Sequence, residues 1–305
     1  MREEVLLAQL REVFDRHSRK PDLVVDNGDD GAIFAPQGKE AVIAADVAVE
    51  GVHFKREWSS SFDIARKITA ANLADICAMG GWPQYLLVTA VIPSGWLEES
   101  IEIAQGIVHE ANLVDAAVIG GDLSTGHELS LSITAVGYVE KKLLRSGARP
   151  GQYVVVSHRP GWSAAGLDLL RRGEKSDSPQ KLRAISAHKT PEIPYGHYRS
   201  AFPYLSSATD TSDSLLIDLG HIAQSSKVSI DIDYLSLVDP DLEVLGDCRD
   251  WILNGGEDHV LVGTTDYPEK CPKFIVIGKV KEGSGEIFLG GTLVERSGFQ
   301  HEWRS

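Results

Sequence analysis

The chain has 305 residues, so two domains, or one large one, are expected at roughly 150 residues per domain. Lys and Arg total 30 against 44 Asp and Glu, a net charge of −14. That balance disfavours a nucleic-acid backbone as partner, because neutralising phosphates takes surplus cations, and it equally argues against a polybasic membrane anchor. With 43% apolar residues the chain can build a sizeable core. The question these numbers set is where the surplus carboxylates sit and whether any of them do chemistry.

Cys77, Cys248 and Cys271 are far apart and form no C-x-x-C pair, which excludes a cysteine-based zinc ribbon and argues against a disulfide framework. The opening Met1-Arg-Glu-Glu-Val-Leu alternates charged and apolar residues and does not read as a signal peptide. The longest apolar stretch, Tyr85 to Ile92, is far too short to span a bilayer. A cytoplasmic location is expected.

In chain order, Leu6, Leu7, Leu10, Val13 and Phe14 recur at helical spacing, predicting a helix over residues 3–17. A polar loop ends in Asp26-Asn-Gly-Asp-Asp-Gly, and Ala41–Asp46 reads as a buried strand. Residues 62–79 read as a helix on which Ile64, Ile68, Ala71, Asn72, Asp75 and Met79 share one face. A polar pair on an apolar stripe is costly unless satisfied, which singles out Asp75. Gln84–Pro93 is a strand, 97–112 a helix, Ala116–Asp122 a strand running into a tight Gly120-Gly121 turn, and Glu128–Glu140 an alternating strand. The turn-rich Arg145–Gly151 marks a domain boundary. Beyond it come strand Tyr153–Ser157, the Gly161–Gly166 turn into a helix, and a polar, proline-punctuated 173–200 read as helix plus exposed loop. Asp213–Ser226 is a helix, with strands at 228–234, 259–264, 273–280 and 286–290. Interleaved strands and helices make an α/β or α+β plan.

Asp29, Asp30, Asp46, Asp75, Asp122 and Asp213 sit beside Gly, Ala or Ser, and Asp210 between two threonines; all but mid-helix Asp75 lie at strand ends, turns or helix termini. Oxygen donors of this kind suit hard cations such as Mg²⁺. Each also has an ordinary reading, Asp210 or Asp213 as a helix cap and Asp29 and Asp30 as turn residues. The chain has no Walker-type P-loop, no G-x-G-x-x-G after a strand, no G-x-S-x-G elbow and no H-E-x-x-H. His53 lies just after the Asp46 strand.

Taken in order, eight segments resemble the thiamine-monophosphate kinase family. They are Gly28-Asp-Asp-Gly-Ala32, Asp46…Glu50-Gly-Val-His-Phe54, Asn72-Leu-Ala-Asp-Ile-Cys-Ala-Met-Gly80, Ile119-Gly-Gly-Asp122, Arg145-Ser-Gly-Ala-Arg-Pro-Gly151, Ser163-Ala-Ala-Gly-Leu167, Ser207-Ala-Thr-Asp-Thr-Ser-Asp213 and Asn254-Gly-Gly-Glu-Asp258, with an echo at Ser297-Gly-Phe-Gln-His301. That family belongs to the ATP-binding superfamily that also holds aminoimidazole ribonucleotide synthetase and selenophosphate synthetase. The resemblance implies an N-terminal ATP- and Mg²⁺-binding half over 1–147, built on a mixed sheet with helices that pairs in a homodimer, and a C-terminal α/β half over 148–305 that completes the nucleotide and substrate site. It implies transfer of the γ-phosphoryl of ATP to thiamine monophosphate with several Mg²⁺ ions. By position it assigns Asp30, Asp46, Asp75, Asp122, Asp210 and Asp213 to metal, and Gly120, Gly121, Arg145 and Ser212 to ATP. His53, Glu257, Asp258 and Phe299 fall to the substrate. No general base is expected, because the accepting phosphate is already ionised; charge neutralisation by metals and Arg145 carries the chemistry.

The chain departs from the family in four places, one of them the strand-end glycine run after residue 156, altered to Ser157-His-Arg-Pro-Gly161. Ala44-Ala45-Asp46-Val47 stands where hydroxyl residues usually flank the aspartate, Ser214 stands for a glycine, which removes backbone freedom there, and His259 stands for a tyrosine. These departures keep open a non-catalytic paralogue that binds ATP or thiamine phosphates. Another ATP-dependent activation of a small molecule also remains, although the absence of any Cys before Cys77 disfavours selenophosphate chemistry.

Overall fold

The computed structural model describes residues 9–10, 12–14, 20–25, 33–36 and 38–298. Of the first expected helix, residues 9–10 and 12–14 are helical and the rest lies outside the described residues. The chain divides into two compact units, one ending at Glu140 and one beginning at Lys141, with Ala78–Gly80 belonging to the second.

The first unit begins with a short pair of strands, β1 (Leu23–Val25) and β2 (Ile33–Phe34). Its body is a four-stranded sheet of β3 (Ala41–Val49), β4 (Gly81–Pro93), β5 (Ala117–Gly126) and β6 (Ser130–Val139), in the order β3-β6-β4-β5. The sheet is mixed: β4 runs parallel to β5 and antiparallel to β6. Two helices, α1 (Ser61–Ala78) and α2 (Leu97–Asn112), supply its apolar cover, with Ile64, Leu73, Ile76, Ile103 and Ile107 buried. Alternation along β3 leaves Ile43 and Val47 66% and 52% exposed.

The expected turn at Gly120-Gly121 is not a turn. Both glycines lie inside β5, which continues to Gly126, and the register slips by one residue just before them, between Leu86 and Leu87. Gly121 has φ +155°, and a Cβ there would stand 1.8 Å from the Val88 carbonyl oxygen. The glycines serve the irregular pairing and a close backbone approach, not a reversal of the chain.

The second unit is a seven-stranded sheet with helices. Its strands are β7 (Tyr153–Val156), β8 (Leu205–Thr209), β9 (Val228–Ile232), β10 (Val262–Thr265), β11 (Ile275–Glu282), β12 (Ile287–Leu289) and β13 (Thr292–Leu293), in the order β13-β12-β9-β11-β7-β10-β8. The helices are α3 (Trp162–Arg171), α4 (Pro179–Lys189), α5 (Tyr195–Ala201), α6 (Leu215–Ser226), α7 (Pro240–Glu243) and α8 (Arg249–Asn254). Val154, Val156, Leu215, Leu219, Ile230, Val262 and Ile277 form the centre of one apolar core.

The 173–200 stretch is more ordered than its composition suggests. Pro179 opens α4 at a position where a missing N–H costs nothing, and Ser178 caps it by accepting from Lys181 N at 3.2 Å. The 213–226 helix starts at Leu215, and its cap is neither Asp210 nor Asp213. Ser214 Oγ accepts from Ile217 N at 3.1 Å, while Asp218 Oδ2 accepts from the Asp213 and Ser214 amides at 3.3 Å each. Ser214 has φ 176°, extended backbone open to any residue, so no freedom is lost by the absence of glycine. The serine gains a cap instead.

Candidate active site

In the first unit, Asp46 lies within β3, three residues before its end, and Asp75 in the last turn of α1. Asn72, fully buried on the same helix, joins the two elements. Its Oδ1 accepts from Asp46 N at 3.0 Å and its Nδ2 donates to Ile68 O at 2.9 Å. The buried amide is thus satisfied on both sides, and it fixes the strand carrying Asp46 against the helix carrying Asp75. From the neighbouring strand, Ser132 Oγ donates to Asp46 O at 3.0 Å. Thus polar groups hold the Asp46 backbone from both sides.

Asp122 is exposed on β5, in register with Thr89 and, through it, Ser132 and Val47, one row from Asp46. The order β3-β6-β4-β5 puts three strand spacings, about 14 Å, between the strands of Asp46 and Asp122. The two carboxylates therefore cannot share one cation, whose oxygen ligands sit within about 2–2.5 Å. His53 closes the turn after β3, its Nδ1 accepting from Val49 N at 3.1 Å. Asp30 and Phe299 lie outside the described residues.

In the second unit, two loops are laced together at one end of the sheet. The first is Thr209–Ser214, leaving β8; the second is Gly255–Val260, entering β10. Glu257 N donates to Ser212 O at 2.9 Å, His259 N to Thr211 O at 3.1 Å, and Val260 N to Thr211 Oγ1 at 3.0 Å. Glu257 and His259 both carry positive φ, 62° and 49°. Two non-glycine residues in this region within three positions mark a backbone held by its surroundings.

Arg145 reaches the same end: its Nε donates to Thr209 Oγ1 at 3.3 Å, and its carbonyl accepts from Ser226 Oγ at 2.7 Å. A side chain at Gly147 would meet Ser206 O at 1.9 Å, so only glycine lets the Arg145 turn lie this close to β8. The structure thus gathers Arg145, Asp210, Ser212, Asp213 and Glu257 around one loop pair. Ser214 Oγ also donates to Ser297 O at 2.7 Å, which ties Ser297 to the start of α6.

Asp258 sits differently. Its Oδ2 accepts from Gly161 N at 2.7 Å and its Oδ1 from Ser163 N at 2.8 Å, so both oxygens close the N-terminus of α3. Burial raises its pKa to about 6 in spite of those two bonds. Glu257, the other acid of the pair, is half-buried with Oε2 3.5 Å from His188 Nδ1.

Two residues that the motif reading did not assign to the site emerge here. His259 is buried with Nδ1 3.2 Å from Asp210 Oδ2, a contact that a motif's spacing cannot reveal. Asp218 is buried on α6; its pKa rises to about 7, first through desolvation and then through the negative charges of Asp210 and Asp213. Among the described residues no three His, Cys, Asp or Glu side chains are arranged to hold a metal ion. The donor chemistry nevertheless suits a hard cation: Asp210 and Asp213 repel Asp218, and a divalent ion on them would relieve that repulsion.

The AIR synthase related protein N-terminal domain family matches residues 28–139. The thiamine-monophosphate kinase of Bacillus subtilis (strain 168) is 38% identical over 300 residues, covering 90% of this chain and 92% of the relative. The chain belongs to the thiamine-monophosphate kinase family. A crystal structure of the Stenotrophomonas maltophilia K279a member superposes with a TM-score of 0.86 at 30% identity, covering 96% of this chain and 98% of the other. AaThiL complexed with AMPPCP and TMP gives 0.83 at 29% identity, covering 99% of each chain.

Proposed function

We propose that the chain transfers the γ-phosphoryl of ATP directly to the phosphate of thiamine monophosphate, giving thiamine diphosphate and ADP. One observation carries this reading: nearly the whole chain shares its fold with AaThiL complexed with AMPPCP and TMP. Both reactants bear phosphate, so negative charge accumulates in a small volume on the way to the transition state, and positioning with charge neutralisation provides most of the catalysis.

Mg²⁺ bound at the aspartates would neutralise phosphate charge and orient the reacting oxygens. In the N-terminal half the ligands are Asp30, Asp46, Asp75 and Asp122, with Asn72 setting the backbone of Asp46. In the C-terminal half they are Asp210 and Asp213. Gly120, Gly121, Arg145 and Ser212 contact ATP. Arg145, exposed and anchored to Thr209, supplies a fixed cation for phosphate. His53, Glu257 and Phe299 contact the acceptor; Asp258 supports that contact indirectly, by fixing the start of α3 beside Glu257. No side chain need remove a proton, because the attacking phosphate oxygen is ionised near neutral pH.

The halves divide near residue 147, the first carrying dimerisation. Ile43, Val47 and Leu87, 66%, 52% and 38% exposed on the four-stranded sheet, fit a face that a second copy covers. The described residues include no helix long and apolar enough to cross a membrane, and the three cysteines are free and buried, in keeping with a reducing cytoplasm.

The test is coupled ADP release from purified protein with Mg²⁺, ATP and thiamine monophosphate. Turnover that depends on thiamine monophosphate and falls at least about 100-fold in Asp75→Asn supports the reading. Turnover no greater than that of Asp75→Asn refutes it.

A further inference from the structure

Of the eight ordered segments, Ser163-Ala-Ala-Gly-Leu167 supplies no residue to the metal, the nucleotide or the acceptor. It lies in the first turns of α3, and Gly166 decides how closely α4 packs there. A Cβ on Gly166 would stand 2.0 Å from Ala184 O and 3.0 Å from His188 Cβ, so only glycine lets the two helices come this near. The approach brings His188, in the last turn of α4, beside Ser163, with His188 Nδ1 3.3 Å from Ser163 Oγ.

The same ring nitrogen is 3.5 Å from Glu257 Oε2. A carboxylate only accepts hydrogen bonds, so the tautomer this contact requires carries its proton on Nδ1, with Glu257 Oε2 and Ser163 Oγ as the acceptors in reach. His188 and Ser163 are buried, whereas 33% of the Glu257 side chain is exposed. The imidazole is therefore the support, and the carboxylate is the group that can meet a ligand.

The rest of the acidic pair is fixed by the same structure. Glu257 has φ 62° and its N–H donates to Ser212 O, which sets its backbone. Asp258 accepts from the Gly161 and Ser163 amides. Ser163 thus braces both acids, Asp258 through its amide and Glu257 through the imidazole. Glutamate is among the side chains with the most rotamer freedom to lose, and a group ordered in advance binds more tightly because that loss is not incurred on binding.

We propose that His188 is a positioning residue for the acceptor: it holds the Glu257 carboxylate ready for thiamine monophosphate, with Ser163 orienting the imidazole and Gly166 admitting α4 to the required distance. The inference rests on the reading that Glu257 contacts the acceptor, and it brings α4, which lies outside all eight segments, into the support of that contact.

The experiment is calorimetric titration of the full chain with thiamine monophosphate and, separately, with AMPPCP and Mg²⁺. The amide of asparagine places an N–H near the position of histidine Nδ1, and that of glutamine near Nε2. His188→Gln should therefore weaken thiamine monophosphate binding at least fivefold, and His188→Asn should bring it back to within twofold of the parent. Both should leave AMPPCP binding within twofold and the far-UV circular dichroism unchanged. Ser163→Ala, which removes only a hydroxyl, should weaken thiamine monophosphate binding about threefold, and it carries the test if His188→Gln does not fold. Glu257→Gln should weaken binding at least as much as His188→Gln, and the double variant no more than Glu257→Gln alone, because His188 acts through Glu257. In coupled ADP release the same factors should appear in KM for thiamine monophosphate with kcat within threefold. A parent that binds thiamine monophosphate without turnover defeats the phosphoryl-transfer reading and leaves this one standing. No thiamine monophosphate binding by the parent, undiminished binding in His188→Gln and Ser163→Ala, equal weakening in His188→Asn, a parallel loss of AMPPCP binding, or additive losses in the double variant would each overturn the proposal.

Discussion

Ser214 offers the sharpest test of the physical reasoning, because the family pattern and the structure predict opposite signs. If the serine strained a position built for glycine, Ser214→Gly would stabilise the protein. The geometry says otherwise: φ is 176°, so glycine relieves nothing. The substitution removes the bond from Ile217 N to Ser214 Oγ and the bond from Ser214 Oγ to Ser297 O, 3.1 and 2.7 Å long. Replacing a serine cap by glycine costs a few tenths of a kcal/mol. A lost hydrogen bond from a buried hydroxyl costs about 1 kcal/mol. The freer unfolded chain adds roughly 0.5–1 kcal/mol. The total is about 2 kcal/mol, or a fall in Tm of about 4 °C for a chain of this size. Ser214→Ala should cost a similar amount: it adds no chain freedom, but alanine at a cap costs about 1 kcal/mol against a few tenths for glycine. Differential scanning calorimetry at fixed protein concentration measures both variants. A Ser214→Gly protein that melts at or above the parent temperature would refute the capping account.

Three further outcomes are expected. Asp258 has a folded pKa of about 6 against an unfolded value of 3.8, so between these values the native state binds more protons and stability falls as pH rises, by up to about 3 kcal/mol in all; urea unfolding from pH 4 to 7 should show this decline, and Asp258→Asn should flatten it. Gly121→Ala places a Cβ 1.8 Å from Val88 O and should cost at least about 3 kcal/mol, read as a large drop in Tm or loss of soluble protein. His259→Phe removes the 3.2 Å contact with Asp210 Oδ2 and should raise the Mg²⁺ concentration for half-maximal ADP release about tenfold, whereas an unchanged Mg²⁺ dependence would show that His259 does not position Asp210.

Periodic elements were the legible part of the fold. The alternation at Glu128–Glu140 and the helical spacing at 62–79 and 97–112 have local causes, and the structure places β6, α1 and α2 there, whereas Ala41–Asp46, read as a buried strand, is part of the longer β3, one face of which is exposed. Glycine and proline were harder to read, because each has two uses. Gly120-Gly121 looks like a turn, yet the glycines admit the Val88 carbonyl within a strand. Pro179 looks like a breaker, yet with Ser178 it starts a helix, a cap-and-proline signal that was present in the sequence. The ordered motifs brought Arg145, Asp210, Ser212, Asp213 and Glu257 into view before any coordinates. They could not show that Asp258 closes α3 from 97 residues away or that His259 meets Asp210 across 49. Such contacts depend on how two loops are laced, and no local pattern records that.

The surplus of acids can now be resolved into kinds by what each carboxylate touches. Asp258, Asp218 and Asp239 accept from backbone amides or from an indole and a guanidinium, and so fix local structure. Glu110 is a buried ion-pair partner, with Oε2 3.1 Å from Arg66 Nε. Asp210 and Asp213 lie where their charges work against a third carboxylate. A fold gains nothing from that repulsion by itself, since burying like charges costs stability that the remaining contacts must offset. Retaining it makes physical sense where a cation and its phosphate ligands bind. The useful distinction is therefore not acidic against basic surface but satisfied against frustrated carboxylates, and Asp218 reports the frustration of its neighbours through its raised pKa.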